Sequence, residues 1–147
     1  MIVPNDLLFA HISELLKEGK TVNFKVKGVS MLPFIVGDRD SVSIKALPFE
    51  EGDAVLAQLP SSAYVLHSVL KIEGTRVTLK GDGNLLGTES CSVTDVKGKV
   101  LAVLKKGEKR VEVNTPAYKR KIRFWNSLPY IVKRIYLAIY KRIFVRL

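Results

Sequence analysis

The chain has 147 residues, a length at which a single domain can bury a core of its own, and 47% of them are hydrophobic. Its one cysteine, Cys91, excludes an internal disulfide and any metal site built from several cysteines. Residues 1–114 contain 15 basic and 14 acidic residues, whereas residues 115–147 contain nine basic residues and no acidic one. The net charge of +10 therefore comes almost entirely from residues 115–147, where we expect any acidic partner to bind.

The N-terminal segment, residues 1–20, predicts a short helix. Asn5 can cap its start, Gly19 follows its end, and apolar residues at helical spacing form one face: Leu8, Ile12, Leu15 and Leu16. Charged residues interrupt this segment and no basic leader precedes a long apolar run, so we expect no signal peptide.

Residues 21–114 alternate between apolar and polar positions with the period of a β-strand. In the first run, Val22, Phe24 and Val26 fall on one side, and turn residues such as Gly74 separate several of the runs. The runs are residues 21–27, 41–45, 53–59, 63–72, 75–80, 97–106 and 109–113. Seven closely spaced strands predict a compact, curled β domain over residues 21–114.

Residues 115–147 predict a basic amphipathic C-terminal helix, with Ser127 as its cap and Pro129 in its first turn. Its apolar positions at helical spacing are Val132, Ile135, Tyr136, Ile139 and Ile143, and the basic residues mostly opposite them are Lys133, Arg134, Lys141 and Arg142. Leu137 and Phe144 depart from this separation because they fall among the basic residues.

Two interpretations of residues 115–147 stay open. The longest uncharged run, Phe124 to Val132, has nine residues, against roughly 20 that a membrane-spanning helix needs. The helix can lie on an anionic membrane surface, where Trp125 and the tyrosines suit the interface, or it can pack on the β body with its basic side in water. We favour the membrane surface, and we do not expect nucleic acid as a partner because no stacking platform accompanies the charge.

A candidate nucleophile lies in the segment GVSMLPFIVGDRD, residues 28–40. A serine hydroxyl reacts only when a base removes its proton, so Ser30 needs a partner elsewhere in the chain. His67 is the better candidate of the two histidines, because it sits in a strand run where it shares a face with Val65 and Val69. A neutral imidazole can accept a proton. A histidine in a strand also serves structural roles, and we assign a structural or solvent-facing role to His11.

The segment KGDGN, residues 80–84, offers a carboxylate. Asp82 could orient an imidazole and stabilise its charged form. Ordinary turn chemistry explains the same residues equally well. Neither histidine belongs to a metal-ligand spacing, so we expect neither a metal ion nor a cofactor.

Together, the segments GVSMLPFIVGDRD, YVLHSVLKIEG and VTLKGDGN resemble the signal-peptidase and SOS-repressor superfamily of serine peptidases, over about residues 22–113. The resemblance implies a curled, mainly antiparallel β fold and cleavage of an extended peptide segment. The archaeal and endoplasmic-reticulum branch pairs its serine with a histidine, which implies Ser30 as nucleophile, His67 as general base and Asp82 as orienting acid. Met31 and Pro33 would then shape the substrate groove, and the backbone N–H of Ser30 would stabilise the oxyanion, because Gly28 lets the chain turn closely there.

The chain departs from this superfamily at several positions. Gly28 stands where many signal peptidases carry a hydroxyl residue, and Ser68 stands where histidine-type relatives usually have arginine. Lys80 is a rival base, but it occupies a motif position at which the superfamily has a lysine that is not the base. A signal peptidase normally has a membrane-spanning segment, and this chain offers only its basic tail, so we expect a cytoplasmic protein, peripheral on the cytoplasmic membrane face.

Two other functions are alternatives to a serine endopeptidase. The first is a non-catalytic peptide- or membrane-binding module that retains the peptidase fold, which the departures at Gly28 and Ser68 favour. The second is a self-cleaving regulator, which ranks last because residues 1–20 are too short for a DNA-binding helix-turn-helix.

Overall fold

A computed structural model describes residues 5–27, 31–37, 39–81, 83, 87–105 and 109–144, without the side chains of residues 5, 6 and 144. Helix α1 spans Asn5–Lys17 and packs on the sheet. It buries Ile12 and Leu16 as predicted, but the predicted Leu8 is exposed. Phe9, and not Leu8, packs on the sheet, where the ring of Phe9 contacts the rings of Phe24 and Tyr64. The predicted end is confirmed, since Gly19 adopts a φ of +81°, a conformation that stops helices.

Within the described residues, eight strands form one sheet in which every pairing is antiparallel. Their bounds are β1 Val22–Lys25, β2 Ser41–Lys45, β3 Ala54–Gln58, β4 Tyr64–Glu73, β5 Arg76–Lys80, β6 Glu89–Ser92, β7 Val96–Lys105 and β8 Lys109–Glu112. The order across the sheet is β1-β2-β7-β3-β4-β5-β6, and β8 pairs with β7. Seven of the eight strands lie at the predicted runs, and the sequence pattern misses β6 because Cys91 is its only apolar residue.

The sheet curls into a half-barrel, so the prediction of a mainly β, curled antiparallel fold is confirmed. Register shifts in the pairings β2–β7, β3–β7 and β4–β5 contribute to the curl, because an extra residue on one strand bends it and increases its twist. Gly98 allows a close approach at the centre of the sheet. A Cβ at Gly98 would lie 3.1 Å from the Lys45 carbonyl oxygen and 3.3 Å from Leu16 Cδ1.

Alternate side chains of the strands enter two core clusters. Leu56 belongs to a cluster that α1 completes with Ile12 and Leu16, whereas its neighbour Val55 belongs to a cluster with Val69. The remaining buried members of the second cluster are Ala57, Val77, Leu79 and Cys91. The two faces of β3 and β4 are therefore distinct environments.

The C-terminal segment forms two helices, α2 at Pro116–Ser127 and α3 at Tyr130–Phe144. The helix predicted after Ser127 and Pro129 is confirmed as α3, whereas Ser127 does not cap it and the sequence pattern misses α2. Thr115 caps α2 by accepting a hydrogen bond from the Tyr118 amide at 3.2 Å, while the Ser127 hydroxyl donates to a carbonyl within α2. In the sequence, Thr115 followed by Pro116 is a typical N-terminal signal of a helix, and it marks the start of α2. Among the described residues, no helix is long and apolar enough to cross a bilayer.

Candidate active site

His67 lies in the middle of β4 and is almost fully buried, with 6% of its surface exposed. It faces the same way as Val65 and Val69, which pack in the second core cluster, and its register partner on β3 is Val55. The ring is thus held beside the core, as the strand pattern predicts. A rigidly held imidazole can present one nitrogen to a reacting group.

A carboxylate approaches this ring from a strand that the sequence pattern misses. Glu89 begins β6, and its Oε1 atom lies 3.3 Å from His67 Nδ1. The two residues meet because β5 lies between their strands, with Leu79 paired to Val69 on one side and to Glu89 on the other. The two atoms are at ion-pair distance, and their approach is not aligned as a hydrogen bond. The Glu89 side chain is 32% exposed.

Burial lowers the pKa of His67 below its usual 6.5, and the negative charge of Glu89 opposes that shift only in part. The ring is therefore neutral at neutral pH and able to accept a proton. Once it accepts a proton, the imidazolium would attract the Glu89 carboxylate, which offsets part of the cost of burying the charge. This combination is what a general base requires: neutral at rest and stabilised when charged.

The turn that follows Ser30 in the sequence is fixed by a second carboxylate. Asp40 is fully buried, and its carboxylate accepts hydrogen bonds from the Val36 amide at 2.9 Å and from Arg39 Nε at 2.8 Å. Lys105 Nζ on β7 lies 3.3 Å from the same carboxylate and donates to the Phe34 carbonyl at 2.9 Å. Burial alone would raise the pKa of Asp40, but these hydrogen bonds and positive charges bring it below its usual 3.8. Phe34, Val36, Arg39 and Asp40 are thus tied to β7 through Lys105.

A pocket of about 350 Å³ lies between α2 and the sheet. Met31, the sequence neighbour of Ser30, and Ser68 both line it, so the pocket lies on the face of the sheet opposite to the His67 ring. Its apolar lining also includes Ile35, Ala54, Val100, Val113 and Ile122, and its charged lining consists of Glu50, Glu51, Asp53, Lys119 and Arg123. An apolar floor with charges of both signs suits one side chain of a peptide together with its polar backbone.

The structure describes only some of the predicted site residues. Ser30, Asp82 and Gly28 lie outside the described residues. Met31 is buried and lines the pocket, whereas Pro33 is half-buried and is not part of the pocket lining.

Lys80, His11 and Cys91 are the other candidates for a base or a nucleophile. Lys80 pairs in register with Ser68, so it lies on the face of the sheet opposite to His67, which is the face of the pocket. His11 is exposed on α1. Cys91 is buried, and that burial raises the pKa of its thiol, which disfavours the reactive thiolate.

Glu89 is the functional candidate that sequence reasoning missed. A glutamate in the polar stretch ESCS carries no strand signal, and its pairing with His67 depends on the register of β5 between them. Within the described part of the chain, no three residues among His, Cys, Asp and Glu are grouped so that they could hold a metal ion.

No family model matches the chain, and no curated protein matches it significantly. The resemblance drawn from the motifs therefore stays an interpretation of the sequence. The contact between His67 and Glu89 is a geometric observation that does not depend on that resemblance.

Proposed function

We propose that the protein is a serine endopeptidase in which Ser30 attacks a peptide carbonyl and His67 acts as general base. The observation that carries the proposal is the buried, neutral imidazole of His67 with a carboxylate 3.3 Å from Nδ1. With Nδ1 turned toward Glu89, Nε2 is the nitrogen that would take the proton from the Ser30 hydroxyl. His67 would return that proton to the leaving amine, and the acyl-enzyme would then be hydrolysed by water.

Two carboxylates are candidates for the orienting acid. The motif resemblance assigns this role to Asp82, and the contact of Glu89 with the ring favours Glu89. An acid at Nδ1 fixes which ring nitrogen carries the proton and stabilises the imidazolium that forms during attack. The two assignments are separable, because each acid can be replaced on its own by its amide.

The substrate would be a short, extended peptide segment. An extended peptide can add to an outer strand through main-chain hydrogen bonds, and β1 is an end strand of the sheet that leads along the sequence to Ser30. The pocket beside Met31 and Ser68 would take one of its side chains. A small residue just before the scissile bond is what the motif resemblance implies.

Cleavage of a diverse peptide library by the purified full chain tests this proposal. Ser30→Ala and His67→Ala should each abolish cleavage, while Ser61→Ala and His11→Ala, which alter exposed residues of the same types, should leave it unchanged. No cleavage by the wild type, or equal cleavage by Ser30→Ala and wild type, would refute the endopeptidase.

A non-catalytic peptide-binding module is the second candidate, and the pocket favours it because a pocket can hold a peptide side chain without any reaction. This candidate predicts that the wild type and Ser30→Ala bind peptides from the library equally well and that neither cleaves them. The basic residues 115–147 would keep either kind of protein at the anionic cytoplasmic face of a membrane, as a peripheral protein.

A further inference from the structure

The outer face of α3 is a continuous apolar surface. Ile131, Ile135, Ile139 and Ile143 follow one another every four residues, and they are 60%, 56%, 54% and 64% exposed. Val132 and Tyr136, also exposed, lie beside this row. Residues four apart lie on one side of a helix, so these six side chains form one stripe, which we call the isoleucine face.

The helix is held to the body by its opposite side. Leu137 is buried in a cluster with Trp125 of α2 and with Leu32 and Val36, and Tyr140 packs against this cluster. Leu137 is also one of the two residues that depart from the separation of apolar and basic positions in the sequence. The C-terminal segment therefore does pack on the body with basic residues in water, as one of the two interpretations expects, but it packs through Leu137 while the isoleucine face points away.

This arrangement is unusual for a surface helix in water. A helix that packs on a protein normally buries its widest apolar stripe, and monomeric proteins rarely expose large contiguous apolar patches. Here the wide stripe is exposed and the helix is held by one leucine with its neighbours. The isoleucine face is therefore suited to contact with another apolar surface.

The charge of the segment identifies that surface. Residues 115–147 contain nine basic and no acidic residues, and Arg134 and Arg142 are exposed on α3 itself. A second copy of the chain would bring the same cations against them, which disfavours self-association through this face. An anionic bilayer offers both complements, because its acyl chains accept the isoleucines and its headgroups neutralise the cations.

We propose that α3 lies in the interface of an anionic membrane with its isoleucine face inserted. The exposed aromatic rings of Tyr130 and Tyr136 suit the headgroup level. Because the anchoring cluster includes Leu32 and Val36, the bound membrane would lie on the far side of α3 from the turn that follows Ser30. This inference does not depend on peptidase activity, and Ser30→Ala is expected to bind membranes like the wild type.

Co-sedimentation of the full chain with vesicles tests the proposal. One set of vesicles is phosphatidylcholine alone, and the other contains phosphatidylglycerol as well. The test variant is Ile135→Asp/Ile139→Asp, and the matched control is Leu7→Asp/Leu70→Asp, which places the same charges on exposed leucines elsewhere. Fluorescence of the single, buried Trp125 checks that each variant keeps α2 and α3 docked.

The wild type and the control should bind the anionic vesicles and bind neutral vesicles weakly, and binding should fall as salt increases. The test variant should lose at least about tenfold in affinity, because two inserted side chains are replaced by charges that an anionic surface repels. Equal binding by test variant and control, or no binding by the wild type, would overturn the proposal. So would light scattering that finds a wild-type dimer and a monomeric test variant, since a second copy would then cover the face.

Discussion

Asp40 and Glu89 are both carboxylates beside a basic group, yet they sit in opposite situations. Asp40 is fully buried and is contacted by Arg39, Lys105 and the Val36 amide. Glu89 is partly exposed and approaches His67 at 3.3 Å without an aligned hydrogen bond. Asp40, whose carboxylate already has hydrogen-bond and ion-pair partners, stabilises the fold. Glu89 forms a full ion pair only when His67 is protonated, which suits a role in catalysis.

Replacing Asp40 should have the largest effect on stability. Asp40→Asn removes the buried negative charge and leaves Arg39 and Lys105 without it, so the free energy of unfolding should fall by about 3–5 kcal/mol. Urea denaturation, followed by circular dichroism and repeated with Glu89→Gln, measures the difference. Glu89→Gln should change stability far less, and equal losses in the two variants would remove the distinction between the two carboxylates.

Replacing Glu89 should have a larger effect on activity than on stability. Glu89→Gln removes the charge that stabilises the His67 imidazolium, so kcat should fall by about 10- to 100-fold, with Glu89→Asp restoring part of it. The pKa of His67 should also fall, because Glu89 raises it. Nuclear magnetic resonance of the ring detects this shift even in an inactive protein, with His11 as the internal reference. An unchanged His67 pKa would show that Glu89 does not act on the ring.

Acid should reduce stability in two separate windows. The folded-state pKa of His67 lies below the unfolded value of 6.5, so its contribution is complete above pH 6.5 and is lost as the pH falls through the folded pKa. The folded-state pKa of Asp40 lies below 3.8, so its contribution is complete above pH 3.8 and is lost at lower pH. Thermal unfolding across the acid range should show the first loss disappear in His67→Gln. A first loss that persists in this variant would contradict the assignment to His67.

The smallest expected effect is a shift in the pH profile of cleavage, which depends on the protonation of His67. Because His67 must be unprotonated to act, kcat/KM should rise with pH through a midpoint below 6.5 and then stay level. Glu89→Gln should move the midpoint to still lower pH. A rise centred above pH 8 would instead indicate a lysine, of which Lys80 is the candidate that the sequence offers.

The sequence predicts the seven strands whose apolar residues alternate, because a half-buried strand needs that period. It also predicts the burial of His67, which follows from its place between Val65 and Val69. It cannot predict β6, whose four residues include one apolar side chain, and therefore cannot bring Glu89 to the ring. The sequence equally cannot predict which side of α3 is buried, since Leu137 packs with Leu32 and Val36, which lie far from it in the sequence.

The most direct test of the central claim is to map the adduct of a fluorophosphonate probe by mass spectrometry. The account predicts one modified residue, Ser30, with labelling that is lost in His67→Ala and unchanged in His11→Ala. Labelling that persists in His67→Ala, or that falls on another serine, would show that His67 does not activate Ser30.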